Sequence, residues 1–264
     1  MKFTTANGPI SVNVATSHEL ETIVARKVTK KQSFALATLN LDHLAKMNSD
    51  PRFYKAYQDQ DIVIADGNPL IWMARLAKQK LQLMPGSDLI EPLCRQLSDM
   101  GESVAFIGST EDSLKKAEAH LTAKFPNLKV LAKISPPLGF DPEGEDAAKI
   151  LSDIKDIDAR VCFLAFGAPK QEILAQRGKQ IAEHTGFVSI GAGLDFLAGT
   201  QERAPLWVRR IAMEWLWRLV LHPKRLAKRY AKCFVILPGH SLRSFAQRFK
   251  SDPPVNGRLQ EQKR

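Results

Sequence analysis

The sequence predicts an α/β fold: a Rossmann-like, mostly parallel sheet flanked by helices, ending in a basic amphipathic helical C-terminal appendage. Three observations carry that expectation. Short, nearly all-apolar runs recur along the first 190 residues, helical patterns separate them, and the composition changes abruptly after Gly199. Runs that are apolar on both faces suit strands of a parallel sheet, which helices cover on both sides. Strand–helix alternation is the pattern of that architecture.

The strands are expected at Phe34–Leu39, Ile62–Ala65, Val104–Ile107, Lys129–Ala132, Val161–Phe166 and Phe187–Ile190. Between them, helical spacing marks Pro69–Ala77, Leu89–Met100, Glu111–Lys124, Glu145–Ile154 and Lys170–His184. No internal repeat or low-complexity block interrupts this order. Pro205 is suited to open a helix as its first residue, followed by LWVRRIAMEWLWRLVLH, which Pro223 interrupts. A second helix then carries Leu226, Tyr230 and Phe234 four residues apart, with Arg225, Lys228, Arg229 and Lys232 between them.

Charge follows the same division. The formal net charge is +10, and residues 201–264 hold 15 Lys and Arg against 4 Asp and Glu, leaving 23 against 24 in residues 1–200. The whole excess lies in the last quarter, so an anionic partner should meet that segment. Basic side chains interleaved with Trp207, Trp215 and Trp217 favour an anionic membrane surface over a solvated helix face. The expected organisation is a catalytic core over 1–200, a membrane-docking appendage over 201–250 and a disordered tail over 251–264.

Composition narrows the class further. With 44% hydrophobic and 25% charged residues the chain has ordinary globular usage. Cys94, Cys162 and Cys233 form no CxxC pair, which fits a reducing compartment without a disulfide framework or zinc knot. The N-terminus lacks a signal-peptide run, and nowhere do ~18 apolar residues follow one another as a spanning helix needs. The six histidines have no ligand spacing, so no metal is expected.

In an open α/β sheet, ligands bind beyond the carboxyl ends of the strands. After the first strand, Thr38 and Asn40 can hydrogen-bond a sugar hydroxyl, or equally serve a turn and helix cap. After the second, Asp66 stands before Gly67, placed either as a general base or as a cap for the helix starting near Pro69. Three later loops begin with Gly108, Gly167 and Gly191, and backbone N–H groups there can hold a diphosphate. No GxGxxG fingerprint, P-loop or GxSxG elbow is present.

Taken together, TLN at 38–40, Ala65-Asp66-Gly67, GSDL at 86–89, SPPLGF at 135–140, GAPKQE at 167–172, GAGLDFLAGTQERAPLW at 191–207, EWLWRL and HPKRLAKRY resemble the WecG/TagA/CpsF glycosyltransferases. The resemblance covers roughly residues 10–235, and the order and spacing of the motifs make it specific. It implies an inverting, metal-independent, membrane-associated enzyme with no cofactor. Such an enzyme moves a sugar (N-acetylmannosamine type, its uronic acid, or glucose) from a UDP-sugar to a polyprenyl-diphosphate-linked saccharide in cell-surface polysaccharide assembly. It would work in the cytoplasm, peripherally on the inner membrane face.

By motif position the resemblance implies Asp66 as the base, and Thr38, Asn40 and Gln171 as pocket residues. It implies Asp195 as a contact to the nucleotide base, and Arg218, Arg225 and Arg229 as arginines closing over the diphosphate. Two positions depart from the family pattern: Leu83 stands where an Arg is frequent, and Asn68 precedes Pro69. Three rival readings stand beside it. A nucleic-acid binder is disfavoured by the Trp-rich apolar face and an oxidoreductase by the missing fingerprint; a non-catalytic scaffold is separable only by activity. No nucleic-acid partner is expected, while self-association through the apolar face of 206–236 stays open.

Overall fold

The computed structural model describes residues 1–249, so the tail expected at 251–264 lies outside the described residues. The chain opens with an antiparallel hairpin, β1 (Lys2–Thr5) and β2 (Gly8–Ser11). Helix α1 (Ser17–Thr29) follows, capped by the Thr16 side chain on the N–H of Glu19. Then come β3 (Phe34–Leu39), α2 (Leu41–Met47), α3 (Pro51–Gln58), β4 (Ile62–Ala65), α4 (Asn68–Leu76) and α5 (Gly86–Asp99). The second half runs β5 (Ser103–Gly108), α6 (Glu111–Lys124), β6 (Lys129–Ile134), α7 (Glu145–Asp156), β7 (Val161–Ala165), α8 (Lys170–Ile181), β8 (Gly186–Ser189) and the short α9 (Gly193–Leu197).

Six strands form one sheet in the order β4-β3-β8-β7-β5-β6, every neighbouring pair parallel. Side chains alternate across it with the period of two that strands impose. On one face Phe34, Leu36, Ile64, Phe106 and Phe163 pack with α1, α5 and α6. On the other, Ile107, Leu164 and Phe187 meet α7 and α8, while Ala37, Leu39 and Val63 meet α2, α3, α4 and the hairpin. Only the edge strand β6 departs from the all-apolar expectation: it is partly exposed along its length and carries Lys129 and Lys133, charges that discourage further strand pairing.

Beyond Gly199 the expected helical stretch is divided. The chain takes a positive φ of 60° at Ala212, which separates α10 (Leu206–Arg210) from α11 (Glu214–Leu221). Pro205 caps α10 from outside rather than opening it, whereas Pro223 opens the long α12 (Pro223–Gln247), where a missing N–H costs nothing. Helix α12 packs against α2, α4 and β1, burying Leu226, Cys233, His240 and Ser244. No helix among the described residues is long and apolar enough to cross a membrane.

Candidate active site

Because all six strands run the same way, their carboxyl ends share one edge of the sheet. There β3 delivers Asn40, β4 delivers Asp66, and the loops after β5, β7 and β8 begin with or near Gly108, Gly167 and Gly191. At Gly108 the glycine is obligatory: φ is 107°, and a Cβ would stand 2.4 Å from the carbonyl oxygen of Ala165. The loop can therefore press against its neighbour strand only without a side chain. The close approach of α5 to β8 has the same origin, since a Cβ on Gly86 would meet Ile190 Cα at 3.2 Å.

Asp66 is fixed by its backbone N–H, which donates to Leu39 O at 2.7 Å, and is followed by Gly67 at φ 96°. Burial pushes its carboxyl up to about 7, against the Asn40 side-chain hydrogen bond that favours the ionised form. Glu214 raises it further, Arg218 lowers it, and Asp88 raises it. Two of these charges, Glu214 and Arg218, stand one turn apart on α11, so the C-terminal segment reaches the field at Asp66.

Asn40 caps α2, its Oδ1 accepting from His43 N at 3.0 Å, and its Nδ2 lies 3.4 Å from His43 Nε2. The other ring nitrogen, Nδ1, is 2.7 Å from Tyr57 Oη, which donates to Thr38 O at 3.2 Å. Thr38 is 4% exposed, so it borders this network from inside the strand. Gln171 is equally buried: its Oε1 accepts from Gly191 N at 3.0 Å and its Nε2 donates to Glu172 Oε1 at 2.8 Å. It ties the loop after β8 to α8. Burial raises the Glu172 carboxyl to about 7 as well, partly offset by Gln171.

Asp195, in the first turn of α9, accepts from Ser109 Oγ and from Gln201 Nε2, the latter at 3.0 Å. It joins the loop after β5 to the start of the C-terminal segment. Among the arginines, Arg218 stacks over Phe196 at 5.8 Å beside Arg203 at 5.7 Å, near Asp195 in sequence. Arg229 is instead engaged by Asp42 at 2.8 Å. Asp42 also binds Lys46 at 3.0 Å, and Lys46 donates to Ala168 O at 3.0 Å. Burial of Asp42 is outweighed by Arg229 and Lys46, which hold its carboxyl below the ordinary range. Arg225 lies on α12, and its side chain is outside the described ones. Thus Asp66, Asn40 and Arg218 act on one another at one place, Thr38 and Gln171 are buried in hydrogen-bonded networks behind the sheet edge, and Arg229 of α12 is paired with Asp42 of α2.

Residues 7–253 match the glycosyl transferase WecG/TagA/CpsF family. The chain belongs to this family. Over 200 residues, 75% of each chain, it is 22% identical to a Bacillus subtilis (strain 168) protein, N-acetylglucosaminyldiphosphoundecaprenol N-acetyl-beta-D-mannosaminyltransferase. This WecG/TagA/CpsF member is accordingly a glycosyltransferase. Among its described residues no group of three or more His, Cys, Asp or Glu side chains is placed to hold a metal ion.

Several residues of this site carried no signal in the sequence. His43 looked like one of six scattered histidines, and Tyr57 lies in an unassigned stretch. Glu172 stood inside a quoted motif without a role, although Glu beside Gln at the start of a helix buried on a sheet is itself a warning of a polar network. Asp42 and Lys46 form an i,i+4 pair that reads as surface charge, and only the docking of α12 turns it into an anchor.

Proposed function

We propose that this glycosyltransferase moves a sugar from a UDP-sugar to a polyprenyl-diphosphate-linked saccharide, with inversion and without a metal ion or other cofactor, as a step of cell-surface polysaccharide synthesis. The sugar is of the N-acetylmannosamine type, its uronic acid, or glucose. The name of the Bacillus subtilis relative supports the first of these and a lipid-linked N-acetylglucosamine as acceptor. The observation that carries the reading is Asp66. It is a carboxylate at the carboxyl edge of the sheet, raised to about 7 by burial, where a substantial share is ionised at neutral pH and the group retains proton affinity.

In the transfer, Asp66 takes the proton of the acceptor hydroxyl. That oxygen bonds to the anomeric carbon from the face opposite the diphosphate, and the bond from that carbon to the UDP oxygen breaks, its electron pair leaving on the diphosphate. Charge arriving there needs preorganised donors. The N–H groups of the loops starting at Gly108, Gly167 and Gly191 and the guanidinium groups of Arg218, Arg225 and Arg229 are assigned to that task. Thr38, Asn40 and Gln171 shape the pocket, and Asp195 faces the nucleotide base. Arg229 must exchange Asp42 for the diphosphate to take part.

The acceptor stays in the bilayer, so the enzyme docks peripherally on the cytoplasmic face. Leu206, Trp207, Ile211 and Val220 are 62, 65, 59 and 71% exposed, and Lys224, Lys228 and Lys232 are exposed beyond them on α12. Apolar wedges with a basic rim suit anionic headgroups. Without a membrane the same face is free to pair with a second copy.

The test is UDP release from candidate UDP-sugars with a polyprenyl-diphosphate disaccharide in liposomes, in EDTA, for the parent and Asp66→Asn. Acceptor-dependent release that persists in EDTA and collapses in the variant supports the mechanism. No release with any donor moves the reading to a non-catalytic scaffold, and release lost in EDTA removes metal independence. Salt-sensitive binding to RNA or DNA in place of vesicles would favour the nucleic-acid alternative.

A further inference from the structure

The buried chain Asn40–His43–Tyr57–Thr38 has more order than a helix cap requires, and its hydrogens can be assigned from both ends. At one end, Asn40 Oδ1 already accepts from His43 N at 3.0 Å, so the group facing His43 Nε2 at 3.4 Å is the Nδ2 amide, which can only donate. Nε2 must therefore be bare. At the other end, the Tyr57 hydroxyl spends its single hydrogen on Thr38 O at 3.2 Å, and a carbonyl can only accept. The 2.7 Å contact between Tyr57 Oη and His43 Nδ1 must then be donated by Nδ1–H. Both ends demand the same neutral tautomer. His43 is 5% exposed, and its ring packs edge-on against Phe53 and Tyr57 at 5.6 and 5.8 Å, which leaves it little room to flip.

We infer that His43 is a positioning residue: through the Nδ1–H tautomer fixed by Tyr57 and Thr38, it aligns the Asn40 amide so that its remaining N–H is held on the Asp66 carboxylate. The inference rests on the proposed role of Asp66 as base. Burial keeps the ring neutral by lowering its pKa to about 3, even with Asp42 favouring the cation; Lys46 and Arg229 lower it too. Glu172 Oε1, 4.0 Å from Nδ1, is the remaining acid against the ring. The charged groups bearing on Asp66 itself are Glu214 and Arg218 from α11 and Asp88 from α5, none of which His43 touches.

Two amide substitutions separate this role from packing. The terminal amide of Gln reaches the place of Nε2 and can still accept from Asn40; the shorter Asn reaches the place of Nδ1 and keeps only the Tyr57 side. His43→Asn is expected to lower kcat about 10- to 30-fold with the donor KM changed less than about 2-fold, a share of what a positioned base contributes. It should also move the acid limb of the kcat/KM profile up by roughly half to one pH unit, since a hydrogen bond to the ionised form is lost. His43→Gln should recover most of the loss and leave the limb in place.

Equal losses in both variants with an unmoved limb would overturn the inference, because packing alone then accounts for His43. Asp66→Asn in the same assay keeps the two failures apart. An inactive Asp66→Asn beside an unmoved limb in His43→Asn removes the positioning role only, whereas an active Asp66→Asn removes the base and with it the task given to His43. Independently of any variant, long-range proton–nitrogen NMR of the parent's His43 ring should find Nδ1 protonated and Nε2 bare across about pH 5–8, the range where an ordinary imidazole titrates. A protonated Nε2 would overturn the inference.

Discussion

The sheet core and the C-terminal segment solve opposite problems with the same amino acids. In the core, large apolar side chains vanish: Phe34, Phe106, Phe163 and Phe187 have no exposure. In α10 to α12, Trp207, Val220, Val235 and Leu242 are 65 to 80% exposed. The core also pairs buried polar groups, His43 with Tyr57 and Gln171 with Glu172, while the segment leaves its lysines in solvent. One region encloses its apolar side chains, and the other leaves many of them in solvent. Besides the packing of α12 on α2, α4 and β1, their charges meet at Asp42 with Arg229, at Asp88 with Arg203, and at Asp66 with Glu214 and Arg218 of α11.

The largest effect should come from the core side of that junction. Asp66→Asn is expected to lower transfer by about 10³-fold, within the range of lost general-base catalysis, measured as UDP release. The same variant should melt higher than the parent at pH 8. The sign follows from the raised pKa: the folded protein holds this proton more tightly than the unfolded chain does. Relative to the protonated protein, stability is therefore intact below about pH 4 and lost as pH rises through about 7. The difference in melting temperature should close by about pH 4; a difference independent of pH would contradict the burial argument.

Next comes the partner side. Arg218→Ala should reduce transfer about 10- to 100-fold if its guanidinium stabilises the leaving diphosphate, and should shift the acid limb upward, because Arg218 favours ionised Asp66. Glu214→Gln should shift that limb downward. Limbs moving together in the two variants would mean that α11 does not sit over Asp66 during turnover. A smaller loss, about 10-fold, is expected for Trp207→Ser with Ile211→Ser and Val220→Ser, and only with the acceptor in vesicles, since the surplus is membrane partitioning of apolar surface. The same loss with a detergent-dispersed acceptor would argue for a purely structural face. Smallest in activity, Asp42→Asn should cost about 1–2 kcal/mol of stability through its charged hydrogen bonds, read as a drop of a few degrees in melting temperature.

The comparison also explains what could be read beforehand. Five of the six sheet strands are apolar on both faces, a pattern that needs no tertiary knowledge, and helix α6 runs over the expected Glu111–Lys124, with Thr110 as its cap. The hairpin of β1 and β2 was missed because KFTT and GPIS are short and only half apolar. Helices α1 to α3 also lie outside the expected helical stretches. At the site, Asp66 and Asn40 were legible because each follows a strand. Gln171 was legible as a residue of the site but not as one with both ends already bonded. The network behind it was not legible, since hydrogen-bond direction between His43 and Tyr57 depends on two helices meeting, which no local spacing records. The break at Ala212 leaves no mark either, for alanine has the highest helix propensity and reads as continuing the helix.

The strand order has a consequence for how the chain is made. Strand β8 is the last of the sheet to leave the ribosome, yet it lies between β3 and β7. Until it emerges, a nascent chain can hold only two half-sheets, β4 with β3 and β7 with β5 and β6, each with an open edge. Asp66 and Asn40 belong to the first half, and the Gly108 and Gly167 loops to the second. The insertion of four residues, Gly186–Ser189, brings Asp66 and Asn40 beside the Gly108 and Gly167 loops, so a chain stalled before β8 keeps two halves with open edges. The Glu214 and Arg218 charges reach Asp66 only later, once α11 has emerged.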